Sequence, residues 1–294
     1  MAQLKANDLD IEYETFGSKD AKPLLLVMGL GAQMIHWRTN FCQLLADAGH
    51  YVIRFDNRDV GLSEKLDFKG IPDIGKIMAQ RLAGQPAEVA YTLDDMSDDA
   101  IGVLDALEIP AAHVCGASMG GMIVQTMIIN HPGRILSMTS IMSTTGNPDL
   151  PPGKPEAMGA LMSPAATNRD AAIDRNMLVA QVIGSPDYRD DPAAARKRAA
   201  EAYDRSSYTD GVARQMAAVI AAENRRPLLG KVDVPTLVIH GKADPLVTVE
   251  GGIDTHEAVA GSELLLIEGM GHDLPEPLWG QIVERMTALS GRVS

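Results

Sequence analysis

The sequence predicts an α/β fold: a mostly parallel central sheet with helices on both faces and an inserted helical cap. Three observations carry that prediction. Short, almost wholly apolar runs recur along the chain, helical stretches alternate with them, and the alternation lapses once, over residues 146–226. Residues 9–16 (LDIEYETF) alternate apolar and polar, as a strand with one exposed face does. Residues 23–28 (PLLLVM) are apolar nearly throughout, the mark of a strand covered on both faces, and they run into Gly29 and Gly31. The same pattern recurs at 51–56, 112–117, 135–142, 235–241 and 263–269, which makes about six buried strands. Residues 93–107 form the clearest helix, with Leu93, Met96, Ala100, Val103, Leu104 and Leu107 on one face. Thr92 and Asp95 are placed as a capping box at its start.

After residue 145 the rhythm changes to a Pro-rich opening (NPDLPPGKP) and then Ala-, Arg- and Met-bearing helical segments without a strand. The expected organisation is therefore a core of residues 1–145 and 227–294, with residues 146–226 as a helical cap. No repeat or low-complexity region interrupts it.

Composition narrows the function. A formal net charge of −13 repels nucleic acid phosphates and anionic membrane surfaces, so a neutral small molecule is the expected partner. No apolar run approaches the length of a membrane span, and the start lacks a basic segment followed by an apolar one; a soluble, cytoplasmic protein is expected. Cys42 and Cys115 read as free buried thiols rather than a disulfide framework. The seven histidines show no zinc-type spacing, so no metal site is expected, and the serine chemistry read below implies no cofactor. The sequence leaves the oligomeric state open.

One motif carries chemistry. Gly116-Ala117-Ser118-Met119-Gly120 follows a buried strand and precedes GMIVQTMII, an apolar segment suited to a helix packed on the sheet. A strand that reverses directly into a helix brings two backbones close, so the flanking positions must be nearly devoid of side chain. Such a turn lifts the Ser118 hydroxyl above the sheet edge. A serine hydroxyl is a weak nucleophile that needs a neutral imidazole to take its proton and a carboxylate to hold the imidazole's tautomer. Asp244, four residues after PTLVIH, and His272, in the glycine-bearing loop EGMGHDLPEP, stand at later strand ends in the order Ser, Asp, His. Asp149, beyond residues 135–142, competes with Asp244 for the acid's place, and for His272 the bland reading is a loop histidine capping a turn. The developing oxyanion needs two backbone donors, expected from Met119 and from Leu30 in the MGLGA turn.

The strand order, the elbow and the two later loops together resemble the α/β-hydrolase superfamily over essentially the whole chain. The LLLVMGLG turn and the segment IRFDNRDVGLSE resemble its esterase branch around aclacinomycin methylesterase. Many superfamily members carry His-Gly at the position of Met28-Gly29, and Asp-x-Arg-Gly-x-Gly-x-Ser at the position of residues 56–63. The resemblance implies a serine carboxylesterase acting on small or medium uncharged esters through an acyl-enzyme. Lactone hydrolysis, carbon–carbon bond hydrolysis, perhydrolysis and acyl transfer use the same residues, and a slow-turnover small-molecule receptor of this fold is the reading from another class. Serine at the elbow argues against dehalogenase and epoxide hydrolase chemistry, which need a carboxylate nucleophile. The expected substrate pocket draws on Gly29, Met34, Met142, His240, Met158 and Met162, although methionine is more often core filling. Asp56, Arg58 and Ser63 are expected to brace loops, and Asp94, Asp95, Asp98 and Asp99 to form a solvated helix face.

Overall fold

The computed structural model describes residues 1–293. Eight strands form one sheet: β1 (Ala2–Ala6), β2 (Leu9–Phe16), β3 (Lys22–Val27), β4 (His50–Phe55), β5 (Ala112–Ala117), β6 (Ile135–Ile141), β7 (Thr236–Gly241) and β8 (Glu263–Ile267). Their order is β1-β2-β4-β3-β5-β6-β7-β8, with β2 antiparallel to both neighbours and all later pairs parallel. The expectation of a mostly parallel sheet holds. It omitted β1, which joins β2 through Asn7 and Asp8, both at positive φ as a two-residue hairpin loop demands. It also took residues 263–269 for a fully covered strand, whereas β8 is the sheet's last strand and only Ile267 in it is fully buried.

The apolar residues of β3 show how the sheet is covered. Leu25 and Val27 face one core with α3 (Leu93–Ala106) and α4 (Met119–Asn130), while Leu24 and Leu26 face another. The second core receives Phe41 and Leu45 of α1 (Thr39–Asp47) and Ile282 and Met286 of α11 (Trp279–Ser290). This two-sided alternation is why the strand reads as unbroken hydrophobicity. Helix α3 starts at the expected capping box, in which Thr92 accepts from the Asp95 N–H and Asp95 from the Thr92 N–H. The acidic face of α3 needs one correction. Asp94 and Asp98 are exposed, but Asp99 is buried and accepts two bonds from the Arg58 guanidinium at 2.6 and 2.7 Å.

The remaining helix before β5 is α2 (Ile74–Leu82). Between β6 and β7 the chain forms α5 (Pro155–Leu161), α6 (Arg169–Ile183), α7 (Pro192–Arg205), α8 (Thr209–Ala221) and the short α9 (Arg226–Leu229), and no strand. Asn168 and Asp191 cap α6 and α7 by accepting the N–H of Ala171 and Ala194. Helix α10 (Val249–Ala258) lies between β7 and β8. No helix among the described residues is long and apolar enough to cross a membrane.

Candidate active site

The parallel strands end at one edge of the sheet, and the loops that follow β3, β5, β7 and β8 meet there. At the end of β5, Ser118 has φ 56° and ψ −121°, a conformation that costs a non-glycine residue about 1–3 kcal/mol. The close packing around it explains the small neighbours. A Cβ at Gly116 would stand 2.1 Å from the Gly120 carbonyl oxygen, and one at Gly120 would stand 2.1 Å from the Val27 carbonyl oxygen. The turn is fixed by the Ser118 N–H donating to the Ile141 carbonyl at 2.9 Å and the Ser143 hydroxyl donating to the Ser118 carbonyl at 2.8 Å.

The Ser118 hydroxyl lies 2.9 Å from His272 Nε2, and His272 Nδ1 lies 2.7 Å from Asp244 Oδ2. With the carboxylate accepting from Nδ1–H, Nε2 is left as the acceptor for the serine proton. The other carboxylate oxygen, Oδ1, accepts the N–H groups of Leu246 at 2.9 Å and Val247 at 3.0 Å. Burial alone would raise the Asp244 carboxyl, but the imidazoles of His272 and His240 more than offset it and bring its pKa down to about 2. Asp149 is exposed and makes no bond to His272, which is paired with Asp244 instead.

The loop after β3 packs directly over the serine: a Cβ at Gly29 would stand 3.1 Å from the Ser118 Cβ and 3.6 Å from its Oγ. In the next residue, the Leu30 N–H has no acceptor among the described residues. Met119 is the first residue of α4, where a backbone N–H has no partner within the helix. Two backbone donors without an acceptor among the described residues therefore lie in the chain segments next to Ser118.

The pocket expectations divide. Gly29 adjoins Ser118, and Met142 follows β6 at the same sheet edge with φ 44°. Met34 and His240 have no accessible surface, so neither faces a cavity. Met34 is core, and the His240 Nε2–H donates to the Val247 carbonyl at 2.8 Å behind Asp244. Met158 and Met162, on and just after α5, are 40% and 44% exposed. The bracing role expected of the loop after β4 is what the structure has. Asp56 accepts the N–H of Met34 and of Leu62, and the Ser63 hydroxyl donates to the Asp56 carbonyl at 2.6 Å. Cys42 and Cys115 are buried free thiols, with burial pushing Cys42 up to about 12. No group of three or more His, Cys, Asp or Glu among the described residues is arranged to hold a metal ion.

The sequence reading missed how the helices between β6 and β7 reach the site. Residues 183–187 bond to the histidine loop: the His272 N–H donates to the Ile183 carbonyl at 2.7 Å, the Gly271 N–H to the Ser185 hydroxyl at 2.9 Å, and the Ser185 hydroxyl to Asp273. On the opposite side, Arg205 pairs with the buried Asp56 at 2.8 Å and Arg214 with the buried Asp59 at 2.8 Å. Single polar residues in helices leave no motif, so no sequence signal pointed to these contacts.

A family model described as alpha/beta hydrolase fold matches residues 22–276. Two proteins named rhodomycin D methylesterase, from Streptomyces sp. (strain C5) and Streptomyces peucetius, are each 27% identical to this chain, covering 92% of it and 93% of their own length. The solved structure of a meta-cleavage product hydrolase from Pseudomonas fluorescens IP01 superposes with a TM-score of 0.76 at 18% identity, covering 99% of this chain and 98% of that one.

Proposed function

This chain belongs to the alpha/beta hydrolase fold family, and from that footing we propose that it is a serine carboxylesterase cleaving small or medium uncharged carboxylic esters. The observation that carries the reading is the hydrogen-bonded line from Ser118 through His272 to Asp244, with the unspent Leu30 and Met119 N–H groups beside it. The likeness to the two methylesterases favours esters over the other bonds this chemistry can break.

Ser118 Oγ attacks the ester carbonyl carbon as its proton passes to His272 Nε2. The carbonyl oxygen takes the electron pair and is held by the two N–H groups. Collapse of the adduct breaks the bond to the alcohol, which leaves with the proton from Nε2. A water molecule then gives a proton to Nε2 and attacks the acyl group, and the acid departs as Ser118 recovers its proton. Residues 146–226 act as a cap over this site and shape the pocket for acyl or alcohol groups.

The test is a series of p-nitrophenyl esters of increasing acyl length, together with simple methyl esters. Multiple turnovers with a preference for short or medium acyl groups are expected. Tight binding with negligible turnover across the series would replace this reading with a small-molecule receptor.

The pH dependence has a defined sign. Asp244 has a depressed pKa of about 2 against the 3.8 of a free carboxyl, so it stays ionised throughout any working pH range and adds nothing to the acid limb. By linkage, its contribution to stability is full above about pH 4 and is lost as the pH falls toward 2. The imidazole base must be neutral to accept the serine proton. The expected kcat/KM profile therefore falls on the acid side with the slope of a single proton. A flat profile between pH 5 and 8, or a two-proton slope, contradicts the assignment.

A further inference from the structure

The loop after β3 offers two neighbouring backbone donors, and one side chain from the inserted helices engages one of them. Helix α8 presents Gly211, Arg214, Gln215 and Ala218 on one face, at the i, i+3, i+4 and i+7 spacing of a helix stripe. Gly211 lets that face come close, since a Cβ there would stand 2.0 Å from the Asp59 carbonyl oxygen. Gln215, with no accessible surface, then accepts the Gly31 N–H on its Oε1 at 2.8 Å and donates from Nε2 to the Arg58 carbonyl at 2.8 Å. Val212, beside it, packs its methyl groups against Gly31.

The geometry points to Gln215 as a positioning residue for the oxyanion site: by binding the Gly31 N–H it fixes the turn so that the Leu30 N–H, and not its neighbour, is the donor offered to the substrate oxygen. This rests on the esterase reading of Ser118. The amide group suits the task because it accepts and donates at once. The acceptor end holds the turn after β3, the donor end anchors to the loop after β4, and the two loops are locked in one register. The turn has one backbone bond of its own, from the Ala32 N–H to the Gly29 carbonyl at 3.2 Å, and Asn57 Nδ2 donates to the Met28 carbonyl at 2.9 Å before it; with no side chain at Gly29 or Gly31, the hold on the Gly31 N–H itself comes from Gln215. An oxyanion donor displaced by about an ångström costs on the order of 100-fold in rate.

The experiment has two arms. In Gln215→Met, which keeps the length and loses both bonds, kcat per active site, titrated with a fluorophosphonate, is expected to fall about 100-fold with KM changed less than threefold. Affinity for a boronic acid that adds to Ser118 should weaken in proportion to kcat/KM. A merely structural role would lower the folded fraction but leave the rate per titrated site within twofold of the native chain, and that result overturns the proposal. The second arm needs no variant. In the native protein, amide NMR should show the Leu30 N–H shifting on boronate addition while the Gly31 N–H stays protected from exchange before and after. A Gly31 resonance that moves in place of Leu30 also overturns it. Ser118→Ala separates the two levels. If Ser118→Ala still hydrolyses esters, the esterase reading fails. If it is inert while Gln215→Met matches the native rate, only the role of Gln215 fails.

Discussion

Replacing Ser118 by alanine is expected to lower kcat about 10⁴- to 10⁶-fold while the fold persists. The size of the effect follows from the arrangement. His272 and Asp244 remain bonded to each other, yet no atom is left to form the acyl intermediate, and the residual rate is what bound water achieves beside the two backbone donors. The substitution keeps a Cβ at a position with φ 56°, so the strain of the turn is unchanged, and the hydrogen bond it removes is the 2.9 Å one between the hydroxyl and Nε2. Stability should accordingly change by only about 1 kcal/mol. Ester turnover and the urea midpoint, measured on the same preparation, check both halves. Retention of even a tenth of the native rate would remove Ser118 from the mechanism.

The second large effect is expected at Asp244→Asn, with kcat falling by about 10⁴-fold. Oδ1 of Asp244 is held by two backbone N–H donors, from Leu246 and Val247. An asparagine must keep its carbonyl oxygen there, because turning the amide over would set its NH₂ against two donors. Its NH₂ then faces His272 Nδ1, which has to become an acceptor. The ring proton moves to Nε2, the nitrogen that must take the serine proton, and the base is blocked in the wrong tautomer. The loss should appear in kcat more than in KM. A variant within tenfold of the native rate would mean that the carboxylate does not orient the imidazole.

Much of this was legible in the sequence because it sits where strands end. Ser118, Asp244 and His272 each follow a run whose apolar character makes it conspicuous, and parallel topology gathers such run ends at one edge. The donors at Leu30 and Met119 were locatable because a backbone N–H depends on position and not on residue type. What escaped depended on contacts between distant elements. AQLKA is too short and too exposed to read as a strand until Asn7 and Asp8 turn it onto β2. Asp99 shares a helix with the solvated Asp94 and Asp98 and differs from them in facing Arg58 and Asn7. Met34 and His240 carry side chains suited to a pocket, but packing closes over them. Gln215 is an ordinary helix residue until α8 is laid against two loops.

The helices between β6 and β7 are fastened at both sides of the reacting centre, to the histidine loop through Ile183 and Ser185 and to the loops after β3 and β4 through Arg205, Arg214 and Gln215. On the esterase reading, with residues 146–226 as the cap, selectivity and chemical competence would be inherited together in this chain. A graft that exchanged the whole segment for a foreign one would bring a new pocket but sever the pins that align the machinery beneath it, and the hybrid would bind without turning over. On the esterase reading, new preferences are more safely sought by point changes on α5 (Pro155–Leu161), which carries none of those pins.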